Sequence, residues 1–422
     1  MAATLEPTVD PGDVGLDAAR LGRLDRLFTG YVDRGQLAGW QVALARGGHL
    51  AHVASAGHRD REQGAPVTGD PGTGETVWRI YSMTKPITSV LALMLWEEGL
   101  FELKDPVARF LPEFAEQRVW RSGTATAPSL EPVTEPMLLW HLLTHTSGLT
   151  YGFMHAHPVD AMYRAAGFDT ATPRTDDLAA QCAALARLPL VFQPGSEWNY
   201  SMSIDVLGRV IEVVTGQTLD EAMRTRVLEP LGMHDTGFQV PADQAHRLAT
   251  IYTAPTGSGG TDRDSLVALG GVTRSVLAPP TALLGGGGLV STTADYLRFA
   301  EMLRGRGHLD GTRLLSPRTV DFATRNHLPG GVDLTEFGRP LFSETTYDGV
   351  GFGLLGSVTI DPVKAKVPAS VGDFGWGGAA STFFWVDPVE DLVCVFMTQL
   401  LPSGSLPLRS QLKQMVHQAL IG

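Results

Sequence analysis

The sequence predicts an α/β (α+β) fold: strands from both ends of the chain form one sheet flanked by helices, and a mostly helical segment is inserted between them. Three observations predict it. Residues 39–57 read as two strands around a Gly-Gly pair, the pattern of a β-hairpin. Strand-like runs return only near the other end, at 350–359, 379–386 and 391–398. From about 100 to 280 the chain reads instead as helical segments parted by long loops containing Pro and Gly. The expected division is a discontinuous α/β domain of residues 1–98 and 285–422 around a mostly helical domain of residues 99–284.

Each element follows from local pattern. Residues 16–28 carry apolar side chains at helical spacing. The hairpin runs 39–46 and 49–57, with Gly47 and Gly48 as its turn. Residues 76–80 form a short strand or extended lead into a helix from about Met83 to Glu98, which Gly99 stops. Residues 178–188 and 205–214 are the clearest helices of the middle segment. After the run Gly285–Gly288 come a helix near 293–305, the three strand-like runs and an amphipathic C-terminal helix at about 407–420. There is no internal repeat and no low-complexity tract.

The 422 residues, 43% hydrophobic and 18% charged, are ordinary for a chain with a sizeable core. A formal charge of −12 and the lack of any basic run argue against nucleic acid or an anionic membrane as partner. Cys182 and Cys394 are far apart and fit no metal spacing, and Cys394 reads as a buried strand residue. The N-terminal stretch has neither the basic nor the apolar region of a secretory signal, and no apolar stretch approaches a membrane span. A cytoplasmic protein is expected.

Lysine is scarce: five of the 33 basic residues, the other 28 being arginine. A lysine among arginines points to something arginine cannot do, such as losing a proton. Lys85 stands three residues after Ser82 at the predicted helix start, which puts both on one helical face, about 5–6 Å apart at Cβ. A lysine whose pKa is lowered there can take the serine proton, and the helix N-terminus favours an oxyanion. The pattern S-x-x-K is short, and Ser410–Lys413 matches it too. In that polar-faced terminal helix Lys413 reads as a solvated charge and Ser410 as a helix-start residue.

Further on, Pro194-Gly195 leads to Tyr200 just before a helix. A tyrosine beside a cationic lysine can work as a base, although taken alone it reads equally well as a buried hydrogen-bond donor. Trp376-Gly377-Gly378-Ala379 brings paired glycines into a strand, where backbone can approach a ligand and offer an N–H; a β-bulge is the plain alternative. His141 and His145 lack the glutamate of H-E-x-x-H, no G-x-S-x-G occurs, and the four-glycine run is not followed by Lys-Ser/Thr.

Taken in order, these segments resemble the serine β-lactamase and penicillin-binding-protein superfamily, and within it the class C β-lactamase-like esterases known as family VIII carboxylesterases. Ser82-Met83-Thr84-Lys85, Leu142–Leu149, Pro194-Gly195 with Tyr200, Gly285–Thr292 and Trp376-Gly377-Gly378 carry the likeness. It implies an antiparallel sheet flanked by helices, the β-lactamase/transpeptidase-like fold, with the active site between the two domains. It implies Ser82 as nucleophile, Lys85 and Tyr200 as its bases, and an oxyanion hole from the N–H groups of Ser82 and Ala379. No metal or organic cofactor is implied.

The departures bear on substrate. Where class C β-lactamases carry Lys-Thr-Gly, this chain has Trp376-Gly377-Gly378. Losing a charge-assisted contact of about 1.5–3 kcal/mol costs roughly ten- to a hundredfold in affinity for a β-lactam carboxylate. A small-molecule ester is therefore the expected substrate, with Tyr151, Phe153 and Trp376 lining an apolar pocket beside Gly377 and Gly378. An acyltransferase using the same acyl-enzyme, a weak β-lactamase and a non-catalytic binding protein on this fold are the alternatives.

Overall fold

The computed structural model describes residues 5–68, 75–169, 174–254, 266–339 and 347–422. Helix α1 (Ala18–Asp33) starts where the Asp17 side chain accepts the N–H of Arg20 at 3.0 Å. Strands β1 (Gly39–Arg46) and β2 (His49–Asp60) follow, joined through Gly47 and Gly48, both at positive φ (60° and 80°). Two successive positive φ values make the tight hairpin turn that glycine favours. After the two-residue strand β3 (Ala65–Pro66) come helices α2 (Thr84–Glu97), α3 (Ser203–Thr215) and α4 (Thr293–Arg304). Strands β4 (Val350–Phe352), β5 (Ser357–Thr359), β6 (Phe374–Gly377), β7 (Phe383–Asp387) and β8 (Leu392–Thr398) precede helix α5 (Leu408–His417).

The eight strands form one antiparallel sheet in the order β4-β5-β6-β7-β8-β1-β2-β3. Its seam joins the two ends of the chain: β1 pairs with β8 from Trp40↔Thr398 to Arg46↔Leu392. The Asp17 N–H, donating to the Ala419 carbonyl at 2.8 Å, closes the same junction. Side chains alternate across the sheet. Cys394 and Phe396 pack with Leu24 and Phe28 of α1 and Leu412 of α5, whereas Val393 and Val395 join Phe299 of α4 and Leu91 of α2. With both faces covered, β8 reads as an unbroken apolar run. Cys182 and Cys394 are both buried and free.

Helix α2 is the axis of the second core, with every residue from Thr84 to Leu93 buried. A helix apolar all round must be enclosed, and α3 is among the helices that enclose it. No helix among the described residues is long and apolar enough to cross a membrane.

Three local expectations are corrected. The run 350–359 is two strands, β4 and β5, which pair across a break. The run 379–386 becomes strand only at Phe383, because Gly378–Thr382 is a tight turn closed by the Gly378 N–H on the Thr382 carbonyl (2.9 Å). The middle segment also holds an antiparallel hairpin, Arg118–Thr124 with Ala127–Pro132. Its mostly exposed strands bury little on either face, so they leave no clean alternation in the sequence.

Candidate active site

Ser82 lies in the single 3-10 turn Tyr81–Met83 that runs into α2. The approach to it is fixed by pairing of Trp78–Arg79 with Val290–Ser291 and by the Ile80 N–H on the Leu289 carbonyl (3.2 Å). Tyr81, immediately before the serine, sits at φ 45°. For a non-glycine residue that left-handed conformation costs on the order of 1–3 kcal/mol, and it is sustained by its surroundings.

Lys85 is 4% exposed. Its Nζ donates to Ser82 Oγ at 3.2 Å, to the Tyr151 hydroxyl at 3.1 Å and to the Gly286 carbonyl at 2.6 Å. Three acceptors match the three protons of an ammonium group. The Tyr200 ring centroid lies 4.5 Å from the same nitrogen, and the Tyr200 hydroxyl accepts the indole N–H of Trp376 at 3.2 Å. Ser82, Lys85, Tyr151, Tyr200 and Trp376 therefore form one connected group.

Backbone contacts bring the separate motifs together. The Asn199 N–H donates to the His145 carbonyl (3.0 Å) and the Asn199 side-chain amide to the Leu149 carbonyl (3.1 Å). These hold the Tyr200 loop against the segment that ends in Tyr151. Gly378 lies so close to the approach to Ser82 that a Cβ there would stand 2.4 Å from the Ile80 carbonyl oxygen. The next residue, Ala379, is thus carried on a turn pressed against the serine segment. Its carbonyl accepts the Ser403 N–H at 2.7 Å. Phe153 is 38% exposed and stacks on Tyr151 at 4.7 Å between centroids.

Burial raises the Tyr151 phenol well above its ordinary value, and Asp205 and Tyr200 push it the same way, so it stays protonated. Burial, then the nearby Lys85 charge, holds His145 well below the usual imidazole range. Burial lowers His141 to about 4. These two histidines do not share a ligand-binding face. The helix spans only Leu139–Leu143, His145 has turned to φ 56°, and their Nδ1 atoms meet the Leu138 N–H and Ser201 Oγ respectively.

Three features differ from the sequence reading. Tyr151, expected as a pocket wall, also places its hydroxyl on Lys85. Asp205 was not singled out and Gly286 only within its glycine run, yet the Gly286 carbonyl accepts the lysine and the Gly286 N–H donates to Asp205. The available signal was a lone aspartate between Ile204 and Val206 in an apolar helix. The second S-x-x-K match falls outside the group: Ser410 is exposed and bonds the Pro407 carbonyl. Lys413 is not a solvated charge, because its Nζ pairs with the buried Asp373 at 2.6 Å.

The model of the β-lactamase family matches residues 24–415, nearly the whole chain. The chain belongs to the β-lactamase family. It is 33% identical over 430 residues to esterase EstB of Burkholderia gladioli, with 99% of both chains covered. It is also 36% identical over 378 residues to protein Rv1367c of Mycobacterium tuberculosis, covering 89% of this chain and 88% of that one. Among solved structures, EstCE1, described as a hydrolase with promiscuous acyltransferase activity, superposes with a TM-score of 0.77 at 27% identity. That match covers 96% of this chain and 99% of EstCE1. This β-lactamase-family chain thus matches a protein named an esterase over its whole length and shares its fold with one described as a hydrolase with promiscuous acyltransferase activity.

Proposed function

We propose that this chain is a serine carboxylesterase of the family VIII type, hydrolysing short-acyl or small-alcohol esters through an acyl-enzyme on Ser82, where the sheet-bearing and helical parts meet. The observation that carries the reading is the buried Lys85 Nζ within 3.2 Å of Ser82 Oγ, inside the reach a proton acceptor needs. The Ser82 hydroxyl gives its proton to the Lys85/Tyr200 pair, with Lys85 as the neutral amine or Tyr200 as the phenolate, as Oγ bonds to the ester carbonyl carbon. The tetrahedral oxyanion rests on the N–H groups of Ser82 and Ala379. Ser82 is the second residue of its turn, so its N–H has no acceptor within the turn. Collapse of the intermediate breaks the bond to the alcohol, which leaves with a proton relayed by Tyr200. Water then attacks the acyl-enzyme by the same steps and frees the acid.

Trp376 supports an ester over a β-lactam. Its ring is 7% exposed and its N–H is engaged by Tyr200, at the place where a lysine would meet a carboxylate. The names of EstB and EstCE1 support the same class of reaction. The test is kcat/KM for p-nitrophenyl butyrate beside benzylpenicillin and nitrocefin. The ester should be favoured by at least about tenfold, one lost charge-assisted contact; comparable values overturn the assignment. A second reading, acyl transfer, is favoured by the description of EstCE1. Adding an alcohol or amine acceptor and analysing products separates the two, since a transferase diverts acyl groups from water.

A further inference from the structure

The four-glycine run and the buried carboxylate of Asp205 have no part in the acyl-transfer scheme, yet they meet beside Lys85. Asp205 lies in the first turn of α3 and is 4% exposed. Its Oδ1 accepts the Gly286 N–H at 2.8 Å, and the carbonyl of that same residue accepts Lys85 Nζ at 2.6 Å. A Cβ on residue 286 would stand 2.6 Å from one carboxylate oxygen and 2.9 Å from the other, so glycine alone permits this approach. The strap is clamped on either side. Thr88 Oγ1 donates to the Gly285 carbonyl at 2.8 Å, and the Leu289 N–H donates to Thr84 Oγ1 at 3.1 Å. Lys85, Thr84 and Thr88 all belong to α2 and Asp205 to α3, so the strap is held between the two helices.

We propose that Asp205 is a positioning residue that acts through the Gly286 backbone to hold Lys85 Nζ on Ser82 and to favour the charged lysine between turnovers. This rests on the reading of Ser82 and Lys85 as the acylation pair. Tyr151 donates no charge to the lysine, Tyr200 presents its ring face and His145 is neutral. Burial raises the Tyr151 phenol and the Cys182 thiol, and the Asp205 charge acts in the same direction on both. Of these groups, Asp205 is the carboxylate. Burial raises its pKa, while Lys85 and the Gly286 N–H oppose that rise, in keeping with an attraction between the two side chains.

The variant Asp205→Asn keeps an oxygen for the Gly286 N–H and removes the charge. Without it the lysine releases its proton more readily. The acid limb of kcat/KM for p-nitrophenyl butyrate should therefore move to lower pH by about one unit. The plateau kcat should fall by about tenfold, with KM within about twofold, because a neutral amide oxygen holds the Gly286 N–H more weakly than a carboxylate does and the base is then less well placed. Thr88→Val loosens the strap without changing charge and should leave the limb where it is. Gly286→Ala, which displaces the carboxylate, should move the limb as Asp205→Asn does. A uniform loss of rate with an unmoved limb in a folded variant means a merely structural aspartate and overturns the inference. So does failure of both Asp205→Asn and Gly286→Ala to melt cooperatively. Wild-type labelling at Ser82 by a fluorophosphonate is measured alongside: its absence sinks the acyl-enzyme reading itself, whereas labelling with an unmoved limb sinks only the role of Asp205.

Discussion

Lys85→Arg keeps a positive charge at position 85 and removes the ability to give up a proton. The lysine nitrogen is enclosed by three acceptors at 2.6, 3.1 and 3.2 Å, with the Tyr200 ring 4.5 Å away. A planar guanidinium is larger than an ammonium and cannot reproduce three contacts that converge on one atom. Its pKa, above about 12, also bars it from accepting the Ser82 proton. Losing a positioned base costs about 10²–10⁴ in rate. The misfit acts in the same direction, so acylation should slow by about 10³-fold or more, a barrier rise of ~4 kcal/mol. Lys85→Ala should be similarly inactive. The assay is single-turnover acylation by a p-nitrophenyl ester, on variants first matched to wild type by circular dichroism and melting. If Lys85→Arg acylates at more than about a tenth of the wild-type rate, a change under ~1.4 kcal/mol, the lysine is an electrostatic neighbour and another group is the base.

Ser82→Ala should abolish labelling by a fluorophosphonate, whereas Ser410→Ala, at an exposed position, should leave kcat within about twofold; the reverse result would invalidate the assignment of the site. Glu75 supplies a prediction about stability. Burial, reinforced by Asp295 and Asp235, raises its carboxyl to about 8, although the Ala294 N–H and Thr292 hydroxyl oppose the shift. The folded state thus binds this proton more tightly than the unfolded chain. The contribution is complete below the unfolded pKa of about 4.3 and is lost as pH rises through the folded value. Glu75→Gln should then melt near wild type at acid pH and about 3 °C or more above it on the alkaline side of the titration. Parallel melting curves across that range would show that Glu75 carries no such shift.

Much of the fold was legible because each element signals itself locally. The hairpin announces its turn with Gly47-Gly48, α2 its stop with Gly99, and β8 its double burial with an unbroken apolar run. The hairpin at 118–132 was not legible, since strands that bury little beyond Val119 display no clean alternation. Ser82 and Lys85 could be paired from the sequence because one helical turn brings i and i+3 together whatever the rest of the chain does.

The sequence by itself thus determined one hydrogen-bond partner of Ser82, the order of the motifs and the lack of a lysine at Trp376. Only the tertiary structure decided which of two S-x-x-K matches is enclosed and that two tyrosines meet its lysine, the Tyr151 hydroxyl by a hydrogen bond and Tyr200 with its ring, while the Tyr200 hydroxyl accepts from Trp376. It alone brought Gly286 to the lysine from 201 residues away in the chain and Asp205 to Gly286 from 81. The reason is physical. Helical spacing fixes contacts within a turn, but contacts across loops depend on how α2, α3 and the glycine strap pack, and a glycine signals that something approaches without naming what it is.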